Sequence, residues 1–193
     1  MAGHAIKKGY ADSTLGQIHY RIGGSGTAMV LVHQDPQSAL QFLHVMPRLL
    51  DAGFQVIAPD IPGYGLSDGQ LKPPTIPEYA DALSEVLDQL NIDEAVVVGH
   101  HTGASIACQL AHAHSNQVER LVLHGLPFYT PEEREERLAR PHMDFRAKKD
   151  GSHFSDLWDL IGKMSRGVST LESSHMAALH TLLAGENHWF AHH

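Results

Sequence analysis

The chain has a single cysteine, Cys108, so no internal disulfide can form, which fits a reducing compartment. Long apolar runs are also missing. No stretch approaches the roughly 20 residues that a membrane-spanning helix needs, so no membrane association is expected. Residues 1–8 hold no basic segment followed by an apolar one, and a cytoplasmic location is the expectation. Positive charge is scarce as well: 14 Lys and Arg stand against 22 Asp and Glu, a net charge of −8. That is the wrong sign for a protein that tracks a phosphate backbone, and no nucleic-acid partner is expected.

Histidine, in contrast, is abundant at 16 residues, so the net charge moves upward steeply as pH falls through about 6.5. Hydrophobic residues at 42% and charged residues at 19% describe an ordinary globular chain long enough for one substantial core.

Periodicity orders the chain. Residues 17–22 alternate apolar and polar and end in Gly23-Gly24-Ser25-Gly26, which predicts one arm of an antiparallel hairpin with residues 6–12. Met29-Val30-Leu31-Val32 is continuously apolar, as in a strand buried on both faces of a parallel sheet. Further strands are predicted at 54–58, 95–98 and 118–123, with helices at 39–51, 76–90 and 102–112 between them. This alternation predicts a mostly parallel, doubly wound α/β sheet of about six strands: a hairpin, then three right-handed βαβ units. Beyond Gly125 the pattern stops, and helices are expected near 131–140, 156–165 and 170–184. The expected division is a core over 1–128 and a partial helical cap over 129–193.

Three segments fall at the ends of consecutive predicted strands. Val32-His33-Gln34-Asp35-Pro36 is similar to an H-G-x-P turn, and Asp60 through Gly63, Gly65, Ser67 and Asp68 to a D-x-x-G-x-G-x-S-D loop. Val98-Gly99-His100-His101-Thr102-Gly103 stands where a G-x-S-x-G nucleophile elbow would lie. Together, over about residues 15–130, they resemble the α/β-hydrolase superfamily. The resemblance implies a hydrolase fold with a pocket between sheet and cap, a small-molecule substrate or ligand and no cofactor. It also implies that the segment from about residue 129 begins the cap and that the last strands of the fold, with their acid and base loops, lie beyond residue 193.

Two departures from the pattern carry the functional reading. His101 occupies the position of the nucleophilic serine, and the strand before Gly125-Leu126-Pro127 ends in His124 rather than a carboxylate. At the oxyanion turn, Gln34 replaces glycine, and Asp35 occupies the residue whose N–H would face a developing anion. An ionised carboxylate there opposes that anion by Coulomb repulsion.

One reading pairs His101 with Asp35 for proton transfer or water activation on a small apolar ester-like substrate, with covalent chemistry through imidazole as a variant. Gln34, Thr102, His100, His33 and His124 are then the expected pocket residues. A second reading is a non-catalytic small-molecule-binding protein, or an inactive fragment, in which His101 merely fills space.

A metal held by His33, His100, His101 and His124 beside Asp35 and Asp60 is a third arrangement, but His33 and His100 occupy positions where the resemblance implies loop support, so no metal is expected. Ser38 reads as a helix N-cap, Ser105 as a helix residue and Asp60 as a brace for its own loop. Phe128, Tyr129, Phe145, Trp158 and Trp189 are candidate cap aromatics. A chain ending at residue 193 leaves the sixth strand as a sheet edge, and the expected covers are the cap helices or a second copy, giving a homodimer.

Overall fold

The structure is a computed structural model that describes residues 5–72, 74–139, 145–165 and 169–184. Six strands form one sheet: β1 (Lys7–Ser13), β2 (Gly16–Gly23), β3 (Ala28–Val32), β4 (Gln55–Pro59), β5 (Ala95–His100) and β6 (Val118–His124). Their order across the sheet is β1-β2-β4-β3-β5-β6. The β1–β2 and β2–β4 pairs are antiparallel; every other pair is parallel. The expected hairpin is present, with Lys7 opposite Ile22 and Ser13 opposite Gly16.

The order of winding locates the site. From β3 the chain steps outward to β4, then crosses back over β3 to β5, so consecutive connections leave β3 in opposite directions. In a doubly wound sheet, such a reversal opens a crevice at the carboxyl ends of the two strands. Here those ends are His33 to Pro36 after β3 and His100–His101 at β5. Val32 stands opposite Gly99 in the ladder, which brings the two loops side by side.

The helices form for readable reasons. In α2 (Ile76–Gln89), Thr75 and Glu78 make a reciprocal capping box, and Tyr79, Leu83, Val86 and Leu87 are buried against the sheet. In α3 (Thr102–Ala113), Ala104, Ile106, Ala107 and Leu110 are fully buried. Cys108 on the same helix is partly buried, not buried as a small core residue would be.

The single helix expected over 39–51 is two: a 3-10 turn at Ala39–Phe42 and α1 (Met46–Asp51). Pro47 explains the break. Inside one long helix it would lack the N–H for the ladder and crowd the carbonyl four residues back, whereas in the first turn of α1 it is harmless. Ser38 caps the 3-10 turn by accepting from Leu40 N at 3.2 Å.

Past β6 come α4 (Pro131–Ala139), α5 (Ser152–Ser165) and α6 (Leu171–Ala184). Ala184 at the end of α6 is buried in the main core. The cap helices among the described residues leave Val122 on β6 48% exposed and Leu123 39% exposed. Leu121 on the same strand packs inward against the core. No helix among the described residues is long and apolar enough to cross a membrane.

Candidate active site

The bend from β5 into α3 is tight. A Cβ on Gly99 would lie 2.3 Å from Gly103 O, and one on Gly103 would lie 2.2 Å from Val32 O. Glycine at both positions lets the helix start against the strand ends, and His101 between them takes φ 51° and ψ −115°. That backbone is strained for a residue with a Cβ, by about 1–3 kcal/mol. It is held by His101 N donating to His124 O at 2.9 Å and by Ala104 N donating to His101 O at 2.8 Å. The imidazole stands exposed at the top of the sheet. Partial burial, then the nearby Arg137 guanidinium, hold its pKa below the ordinary histidine value, so it is neutral at pH 7 and able to accept a proton.

The loop after β3 carries Asp35, joined to Pro36 by a cis peptide bond. Burial pushes the Asp35 carboxyl up to about 7 against the opposing effect of a hydrogen bond with the Tyr64 side chain. At neutral pH a large share of it is therefore the neutral acid. The Tyr79 phenol is pushed upward by burial and then by the Asp35 charge.

His33 is fully buried. Ile61 N donates to its Nε2 at 2.9 Å, so the ring proton is on Nδ1 and donates to Gln34 O at 2.9 Å. Burial lowers its pKa further, and with both nitrogens occupied the ring ties the β3 loop to the β4 loop.

Asp60, at the end of β4, is a buried carboxyl. Its carboxylate accepts from Ala39 N at 2.6 Å and Leu66 N at 2.9 Å, and pairs with His19 Nδ1 at 2.8 Å. Burial raises its pKa, but the His19 bond, the His33 ring and the two backbone donors outweigh this and leave it lowered. Asp60 braces its loop and supplies no proton to the crevice.

The expected pocket residues gather unevenly. Thr102 is buried at the first turn of α3, and the rings of His100 and His124 lie 4.7 Å apart at the ends of β5 and β6. Gln34 N donates to Gln41 Oε1 at 3.4 Å, which turns the Gln41 amide nitrogen toward His100 Nδ1 at 2.8 Å. Among the described residues no hydrogen bond or ion pair joins His101 to Asp35. No group of three His, Cys, Asp or Glu side chains among them is arranged to hold a metal ion.

Of the cap aromatics, Phe145 is buried, Phe128 is 87% exposed, and Trp158 lines a groove of about 540 Å³ between α5 and α6. Trp189 lies outside the described residues, as do His188, His192 and His193.

Four residues near the crevice escape sequence reasoning. Gln41 and Tyr64 are distant in sequence from the groups they hold. Arg137 belongs to a charged helix that reads as a solvated face. His180, on α6, pairs through Nε2 with Ser38 Oγ at 3.3 Å and through Nδ1 with the Gln37 side-chain oxygen, linking the cap to the loop of Asp35. No sequence pattern distinguishes it from the other histidines of the chain.

With this geometry in place, comparison with known proteins defines the class. The family model described as alpha/beta hydrolase fold matches residues 27–179, and the chain belongs to that family. Among curated relatives, the bifunctional epoxide hydrolase 2 of Mus musculus is 33% identical over 133 residues, covering 66% of this chain and 24% of that protein. Among solved structures, the epoxide hydrolase CorEH superposes with a TM-score of 0.71 at 22% identity, over 97% of this chain and 74% of that one. A thermophilic esterase from Thermogutta terrifontis gives a TM-score of 0.74 at 22% identity, over 96% and 70% of the two chains. At that identity the likeness concerns the fold. The chain spans between 23% and 37% of the length of the curated relatives it matches.

Proposed function

We propose that the chain is a hydrolase of small, largely apolar molecules with an ester-like or epoxide C–O bond, using His101 as base and Asp35 as acid. The observation that carries this reading is a pair of titratable groups on adjacent strand ends whose surroundings push them in opposite directions, the imidazole towards neutral and the carboxyl towards protonated. His101 takes a proton from a water molecule, and the resulting hydroxide adds to the electrophilic carbon. As the C–O bond breaks, the departing oxygen takes the proton of Asp35. The imidazolium then returns its proton through solvent to the Asp35 carboxylate, and both groups are restored.

A protonated Asp35 also removes the conflict noted in the sequence. A neutral carboxyl donates to a developing anion instead of repelling it. The N-terminal amides of α3, beginning at Thr102, add partial positive charge at the same place. The named activities of the relatives, epoxide hydrolase and esterase, fall within the same class of C–O bond cleavage.

Turnover of p-nitrophenyl acetate and styrene oxide tests the proposal. His101→Gln and Asp35→Asn are each expected to lower kcat by about 100-fold or more. Unchanged turnover in both variants rejects the pair. The second reading, a binding protein, is supported by the lack of any carboxylate bonded to the His101 ring among the described residues. It predicts tight ligand binding with no turnover in the parent chain.

A further inference from the structure

The buried residues of α6 are His180, Thr181 and Ala184, near its end, whereas Leu171, Glu172, His175 and Leu179 stay exposed. Ala184 joins the main core, and Thr181 Oγ1 donates back to Ala177 O of its own helix at 3.0 Å. His180, 2% exposed, is the polar side chain of this turn that reaches across to the loop after β3. Its Nδ1 pairs with the Gln37 side-chain oxygen, which only accepts, so Nδ1 carries the ring proton. Its Nε2 lies 3.3 Å from Ser38 Oγ, and that hydroxyl, which already accepts from Leu40 N at 3.2 Å, donates its hydrogen to the ring. Both ring nitrogens are thus matched in one state of the imidazole, the neutral one.

A second proton breaks that match. The ring would present two donors, the Ser38 hydroxyl would lose its acceptor, and a whole charge would enter a buried turn. The titratable groups that act on the ring come from two strand ends. Burial lowers the His180 pKa, the His33 ring lowers it further, and Asp60 opposes both. Asp60 compensates only in part, because its oxygens already meet Ala39 N, Leu66 N and His19. Asp35, two residues before Gln37, has a carboxyl raised to about 7, so it turns neutral as pH falls and offers the ring no anion in acid. Where α6 faces α5, Asp159 and His175 line the groove, and His175 stands roughly 140° round the helix from His180.

We propose that His180 is an acid-released latch, which holds α6 on the loop of Asp35 while its ring is neutral and lets the helix go when the ring takes a second proton. The direction follows from burial. The docked ring binds a proton less readily than an ordinary histidine of pKa 6.5, so docking is fully supported above pH 6.5 and weakens as pH falls from there through the lowered value. One pH unit below 6.5, the ratio of released to docked helix has risen by about threefold to tenfold, according to how far the value is lowered. Release takes from Gln37 and Ser38 their partner on α6 and so loosens the loop that carries Asp35. The latch stands on the contact between helix and loop; only its consequence for turnover rests on the reading of the crevice as a hydrolytic site.

Amide hydrogen exchange of the full chain, read by mass spectrometry at pH 7.5 and 5.5 and corrected for the pH dependence of intrinsic exchange, tests it. Residues 171–184 are expected to lose about threefold to tenfold in protection at pH 5.5, while residues 76–89 of α2 keep theirs. His180→Gln retains a donor and an acceptor for Gln37 and Ser38 but has no proton to gain, and it should protect 171–184 equally at both pH values. A parent chain in which that protection is constant, is missing at pH 7.5, or falls together with that of 76–89 overturns the proposal. So does the same loss in His180→Gln, because Asp35, Asp60 or His33 would then be the group that titrates. If His180→Gln leaves 171–184 unprotected at pH 7.5, NMR titration of the His180 Cε1 proton in the parent decides: a midpoint below 6.5 supports the latch, and one at or above 6.5 overturns it. No substrate enters any of these measurements, so a chain without turnover can still carry the latch, and an active hydrolase whose α6 is indifferent to pH rejects this inference alone.

Discussion

Asp35 and Asp60 occupy similar positions at the carboxyl ends of neighbouring strands, the first half-buried and the second buried, and their surroundings drive them apart. Asp60 is met by two backbone N–H groups and by His19, and it stays ionised. Asp35 has burial as the dominant influence, opposed by a hydrogen bond with Tyr64, and it is raised to about 7. Burial alone does not decide the state of a carboxyl. The donors and charges that meet it decide as well: on Asp60 they outweigh burial, and on Asp35 they do not.

Substituting each in turn separates the two roles. The largest effect is expected for Asp60→Ala, which leaves His19 and two backbone donors unmatched in the interior; urea unfolding should show a loss of about 3–5 kcal/mol. The opposite sign is expected for Asp35→Asn. A folded pKa above the unfolded value means that the native state binds the extra proton, so stability declines as pH rises from about 4 and levels off above 7. Removing the charge abolishes that decline. The variant should be more stable than the parent at pH 8, by an amount of order 2–4 kcal/mol, and the gain should disappear below pH 4. If stability at pH 8 falls instead, Asp35 is a brace like Asp60 and the contrast between them fails.

The smallest effect concerns the bend. His101→Gly relieves a positive φ, so it should raise the unfolding midpoint, by about 1 kcal/mol in stability, while removing the proposed base. A fall in stability would mean that the imidazole packs as a structural group.

Much of the fold is legible in the residues. Alternation in 17–22, the apolar runs at 29–32 and 95–98, and the Gly and Pro punctuation between them are local signals, and each became the element it announced. The expected helix over 39–51 failed for an equally local reason, the Pro47 that ends one segment and begins another. The site was legible only in part. Glycine spacing around His101 marks the bend, because close backbone approach is a requirement of residue type. The bond from Gln41 to His100, the Tyr64 contact with Asp35 and the His180 link from α6 join residues far apart in sequence, and no periodicity records them.

By itself, the amino-acid order determined the succession of strands and helices and which residue stands at the bend, since propensity, patterning and turn chemistry act over a few neighbours. Only the tertiary structure decided that the Asp35 carboxyl would be raised and that of Asp60 lowered. The protonation of a buried group depends on which distant N–H groups and charges the fold brings within a few ångströms of it.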